Sequence, residues 1–134
     1  MSETEKITIN LGPVDLGQID LLVRESFYAN RTDFIRTAIR NQLANHDEAV
    51  RGTVARHMMV LGLQHITRAD LERAREAGTR LQIRVLGLVT VADDVSPQLA
   101  VDTIASVEVL GAFRASPAVR DALADRIRTG GARP

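Results

Sequence analysis

The 134-residue sequence contains no cysteine and no tryptophan, and aromatic residues make up only 3% of it. Without cysteine there can be no disulfide framework, no thiolate zinc site and no thiol nucleophile, and the composition fits a reducing compartment. A charge surplus is lacking too, since 17 Lys and Arg balance 17 Asp and Glu. No hydrophobic run approaches the roughly 18 to 20 residues that span a bilayer. The opening segment MSETEKITIN has no basic stretch followed by a hydrophobic one, so no export signal is expected there. Together these absences lead us to expect a soluble, cytoplasmic chain.

Signatures of catalysis are missing as well. There is no G-x-S-x-G, no P-loop and no G-x-G-x-x-G, so no enzyme and no cofactor is expected. The histidines are His46, His57 and His65, and they form no His-x-His or His-x-x-His pair. Asp93 and Asp94 are adjacent in a turn, where two carboxylates ordinarily face water. No metal site is expected from either group.

What is present is ordinary globular composition, 45% hydrophobic and 25% charged. At this length one domain or two very small ones can form. Two small ones would each be marginal unless they dimerise or share a core, so oligomerisation is expected. The charge is unevenly spread: residues 1–49 carry a net −3, residues 50–84 a net +4 and the remainder −1.

Residues 6–11, Lys-Ile-Thr-Ile-Asn-Leu, alternate polar and apolar with the period of a strand. Ile7, Ile9 and Leu11 share one face. Lys6, Thr8 and Asn10 share the other, and all three carry hydrogen-bonding groups able to meet base edges, although polar residues on a strand commonly just face water. Gly12-Pro13 ends the strand. A helix is expected over about 14–26, with Val14, Ile19, Leu22, Val23 and Phe27 at three- and four-residue spacing. Asn30 suits an N-cap and Asp33 the positive end of a second helix beginning at Arg31. Phe34, Ile35, Ala38, Ile39 and Leu43 form its apolar stripe, which could continue through Val50 and Val54. Arg36 and Arg40 lie on another face, read as solvated. A single strand has nothing to pair with, so a second copy is needed. Antiparallel pairing of two such strands would bury both Ile/Leu faces on four helices. The core of such a dimer would comprise Ile7, Ile9, Leu11, Ile19, Leu22, Phe34, Ile35 and Ile39. A two-stranded ribbon of this kind fits the major groove.

KITINL, the first helix and then FYANRTDFIRTAIR resemble the ribbon-helix-helix DNA-binding domain of the MetJ/Arc/CopG superfamily over about residues 5–45. The resemblance implies an intertwined homodimer and double-stranded DNA as partner. It implies base contacts by the outward strand residues, here Lys6, Thr8 and Asn10. It also implies a phosphate held by backbone amides at the start of the second helix, here Asn30, Arg31 and Thr32, in keeping with the affinity of helix N-termini for anions. The −3 charge departs from what non-specific binding favours. The nickel-responsive repressors are similar in architecture only, since the cysteine and the paired histidines are missing.

The remainder contains an internal recurrence. Val60-Leu61-Gly62-Leu63, Val85-Leu86-Gly87-Leu88 and Val109-Leu110-Gly111-Ala112 recur at spacings of 25 and 24. Helix-start signals follow each: Thr67 to Asp70 as an acidic capping box, then Ser96-Pro97 and Ser116-Pro117. The helices are expected to carry Leu71 and Ala74, then Leu99, Val101 and Ile104, then Val119, Leu123 and Ile127. Gly78 and Gly130 are read as C-caps of the first and third. We therefore expect an α+β chain. A ribbon-helix-helix domain over 1–48 would be followed over 49–134 by a small solenoid-like strand-plus-helix repeat belonging to no named family. An ordinary small α+β sheet is the alternative. Open strand edges and apolar faces at the ends of such a stack favour association. The expected function is that of a nucleoid-associated, bacterial-type transcriptional regulator, a repressor or autoregulator. An antitoxin, or a DNA-tethered self-assembling protein, are the rivals.

Overall fold

The computed structural model of the chain describes residues 4–130, so the outermost residues of the two expected domains, 1–3 and 131–134, lie outside the described residues. It divides into two compact units, Met1–Gly52 and Thr53–Pro134.

In the first unit α1 spans Pro13–Arg24 and α2 spans Arg31–Asn45. Proline occupies the start of α1, where its missing N–H costs nothing. The helix ends two residues before the expected limit. Ser26 takes a left-handed φ of 66°, and Phe27 N–H bonds back to the Leu22 carbonyl. Residues 4–12 carry no regular secondary structure, so the strand expected over 6–11 is not formed by the single chain. A strand exists through its ladder, and none of the chain's strands pairs with this segment. The expected continuation of α2 through Val50 and Val54 is also corrected. The chain breaks at His46 and begins α3, Asp47–Arg56, which carries both valines.

The second unit alternates strand and helix: β1 Val60–Ile66, α4 Arg68–Ala77, β2 Leu81–Val91, α5 Pro97–Thr103, β3 Ile104–Arg114, α6 Pro117–Ala122 and β4 Ile127–Thr129. The strands form one parallel sheet in the order β1-β2-β3-β4. The three helix starts are capped as expected. Thr67 and Asp70 form a reciprocal capping box, and Ser96 and Ser116 accept from the amides of Leu99 and Val119. Gly78 is the left-handed C-cap of α4. Three expectations fail here. Ile104 opens β3 because α5 ends at Thr103 with no intervening loop, and Ile127 lies in β4, a strand not anticipated. Gly130 caps no helix and instead donates to the Val109 carbonyl, extending β4 along β3.

One face of the sheet carries the core. Val85, Val89, Val107, Val109 and Phe113 are buried with Leu71, Leu99, Ala100, Val119 and Leu123 of the helices. Pleating sends Arg84, Leu86, Leu88, Glu108, Leu110 and Ala112 to the opposite face. The cross-strand pairs Arg84–Glu108 and His65–Thr90 lie there. Polar fasteners close the helical layer. Arg126 donates to the carbonyls of Val101 and Ile104 at 2.7 and 2.9 Å, and Arg120 donates to Phe113 at 2.7 Å while lying over its ring.

The recurrent glycines stand in one row, Gly62 beside Gly87 beside Gly111, with φ of 132°, 143° and 125°. A Cβ on Gly87 would drive into the Gly62 carbonyl, and one on Gly111 into the Gly87 carbonyl, whereas one on Gly62 would meet nothing within 4 Å. Gly62→Ala should therefore cost only the backbone strain, about 1–3 kcal/mol. Gly87→Ala adds a clash with main chain and should cost clearly more, on the order of 4 kcal/mol or above, in urea unfolding. Equal costs would show that the row is not packed this closely. A second outcome concerns Met58, which ends α3 at a φ of 52° and is 84% exposed. Met58→Gly should raise stability by about 1 kcal/mol, read as a rise in melting temperature, because it relieves a left-handed residue without losing packing.

Candidate nucleic-acid interface

Asn30 sits in extended backbone before α2, and its side chain accepts from Asp33 N–H at 2.8 Å. Asp33 in turn accepts from Ala29 N–H at 2.9 Å. The expected N-cap and acidic first turn are thus in place, and Asp33 fastens the approach to the helix. Phe34 N–H bonds to the Asn30 carbonyl, leaving the amides of Arg31 and Thr32 as the remaining donors of the first turn. Tyr28 meets Phe34 edge to face at 5.0 Å, which fixes the bend of the connection.

Arg31 engages a residue that local pattern could not reveal. Its Nε and Nη2 donate to the two carboxylate oxygens of Asp20 on α1 at 2.7 and 2.8 Å. This two-pronged pair ties the helices together and orients the start of α2. The hydrogen bonds from Arg31 hold the Asp20 carboxyl below the ordinary carboxylate range and hold the guanidinium above its own. The partners lie eleven residues apart on different helices, so no i to i+4 signal exists.

Lys6, Thr8 and Asn10 are exposed, as are Arg36 and Arg40 on α2. The two arginines line a shallow depression of about 400 Å³ with Ile39, Thr4 and Glu5. The expected dimer-core residues are mostly uncovered in the single chain. Ile19 is buried and Leu22, Phe34 and Ile35 are half-buried, but Ile39 is exposed and Ile7, Ile9 and Leu11 are 73%, 55% and 41% exposed. Among the described residues Ile19 is the one buried hydrophobic of this unit. The four residues Val14, Leu21, Phe27 and Leu43 add further exposed apolar surface. A unit with one buried apolar side chain cannot offset its conformational entropy.

A sequence model of the Ribbon-Helix-Helix transcriptional regulator family matches residues 2–120. The chain belongs to that family. The match extends the kinship well past the first unit, so the expectation that residues 49–134 stand outside any named family is corrected: most of the strand-and-helix unit is part of what defines this family. No curated protein and no solved structure matches the chain. As a ribbon-helix-helix protein it is a DNA-binding transcriptional regulator of a kind that typically dimerises. Among the described residues no cluster of His, Asp and Glu is arranged to hold a metal ion, and no helix is long and apolar enough to cross a membrane.

Because the folded Asp20 carboxyl is held low, the pair's contribution is present above about pH 4, the range in which an unfolded aspartate is ionised, and is lost as pH falls through the lower folded value. Carbon-detected NMR should place the Asp20 midpoint below that of an ordinary aspartate. Arg31→Met should return it to the ordinary value, and an unmoved midpoint would mean that the pair does not form in solution.

Proposed function

We propose that the protein is a sequence-specific regulator whose first unit forms an intertwined homodimer through residues 6–11. The paired segments would lie as an antiparallel ribbon in the major groove, with Lys6, Thr8 and Asn10 reading base edges. The amides of Arg31 and Thr32, beside Asn30, hold a backbone phosphate, and Arg31 serves through its grip on Asp20 as much as through its charge. The uncovered apolar residues of the first unit carry this reading. Ile7, Ile9 and Leu11 alternate with the proposed base readers, so a second copy that covers the former aims the latter outward.

Repression or autoregulation in the cytoplasm, on the nucleoid, is the role this arrangement serves best. The second unit joins dimers, as a dimer of dimers or larger, so that neighbouring half-sites are held together and their avidity multiplies. An antitoxin reading is disfavoured by the second unit, whose buried core differs from a tail that folds only on binding a toxin.

Selection of purified protein against a random DNA pool should enrich a palindrome or tandem half-site, and the Thr8→Ala/Asn10→Ala double variant should lose it. Asn10→Ala alone should cost about 1–3 kcal/mol on the selected site and relax its specificity. Arg31→Ala should weaken specific and random DNA alike. Equal losses on both DNAs for both variants would overturn the division of roles.

A further inference from the structure

We propose that the outer edge of β1 in one copy takes up the open half of the β3 edge in a second copy, in parallel, continuing the β2–β3 register so that Gly62 faces Gly111. This names an interface for the association of second units proposed above. It is independent of which bases the first unit reads.

The hydrogen-bonding pattern makes the two edges complementary. The Ile66 carbonyl accepts from Ala92 N–H, so Ile66 and Gln64 face β2, and the alternate residues Leu63 and His65 direct their amides outward. On β3, Val107 N–H donates to Arg126 and the Val109 carbonyl accepts from Gly130, so residues of this parity face the far side. β4 pairs only with Val107 to Val109 and Gly130 reaches Leu110, which leaves Gly111 and Phe113 facing outward beyond it. Within the sheet, Gly62 to Gln64 pair with Gly87 to Val89, and these with Gly111 to Phe113. The stretch of β3 that β4 leaves open is therefore the stretch that matches β1 from Gly62 onward.

Burial shows what β1 lacks. Leu63 is 70% exposed, while Leu88 in the same row is 8% exposed with a strand on each side. The Gly87 and Gly111 positions are each closed by the carbonyl of the preceding glycine, and the equivalent position at Gly62 is empty to 4 Å. A Gly111 carbonyl from another copy is the group that the repeat would place there. Neither Gly62 to Ile66 nor Gly111 to Phe113 carries a charged residue, so the charges that ordinarily block edge pairing are absent from both.

A short edge buries less than the roughly 1,200 Å² that free partners need. Dimerisation of the first units relaxes this requirement, because it holds several second units together at millimolar effective concentration. The contact is head to tail, so it propagates rather than closes.

Sedimentation of the full-length chain over a hundredfold range from micromolar upward should show species heavier than the dimer growing with concentration. Leu63→Lys and Ala112→Glu, which occupy one cross-strand row, should each confine the protein to the dimer, and the double variant should restore the heavier species. His65→Pro, which removes an outward amide on the same edge, should act like Leu63→Lys with the circular dichroism of the wild type. A wild type that stops at the dimer overturns the proposal. So does loss of association on Leu63→Lys but not on Ala112→Glu, which would mean β1 pairing with itself. A chain that assembles without passing through a dimer would instead count against the ribbon, leaving the edge contact standing.

Discussion

The second unit depends on how closely its strands approach along the glycine row. Gly87 and Gly111 each receive a neighbouring carbonyl where a side chain would begin, so no other residue type fits and no shifted register satisfies both positions. Once the row is set, the pleat places Val85, Val89, Val109 and Phe113 on one face. The helices follow, because each is launched from a capped turn at a fixed distance beyond the row. The recurrence need not be exact in length: spacings of 25 and 24 reach the same register because the turn over residues 92–96 absorbs the difference.

The first unit is governed by the opposite condition, a shortage of internal contacts. Its two longer helices share one buried residue, an ion pair and an aromatic pair, and leave the flanking segment without a ladder. The two halves of the chain therefore differ in kind. The second unit has a core of its own, with sheet, helices and polar fasteners all internal. The first has its local geometry in place, caps and turn included, and an apolar surface that needs a partner. Family membership over residues 2–120 shows that the pairing of these two kinds of unit is shared by the family.

Local chemistry was the legible part of the sequence. Asn30, Thr67, Ser96 and Ser116 cap the helices they precede because a side-chain oxygen next to an unsatisfied amide acts within one turn of chain. The valine-leucine-glycine recurrence gave the strand register directly. Element ends were less legible. Ile104 and Ile127 lie at spacings that suit a helical stripe, and the fold assigns them to strands through distant ladder partners. The break at His46 likewise divides an apolar stripe that runs on across it. In the candidate interface, the base-facing set follows from alternation, whereas Asp20 as the holder of Arg31 comes from tertiary packing alone.

The Asp20–Arg31 pair has a consequence for discrimination. It neutralises one of the few cations in a segment that already carries a net −3, just beside the helix end where a phosphate would dock. Few counterions are then released on contact with arbitrary DNA, so attraction to bulk sequence is weak and varies little with salt. A regulator built this way relies on fit at its own site and on the number of sites engaged together. It gives up the fast electrostatic search of a basic protein and gains a low background across the rest of the genome.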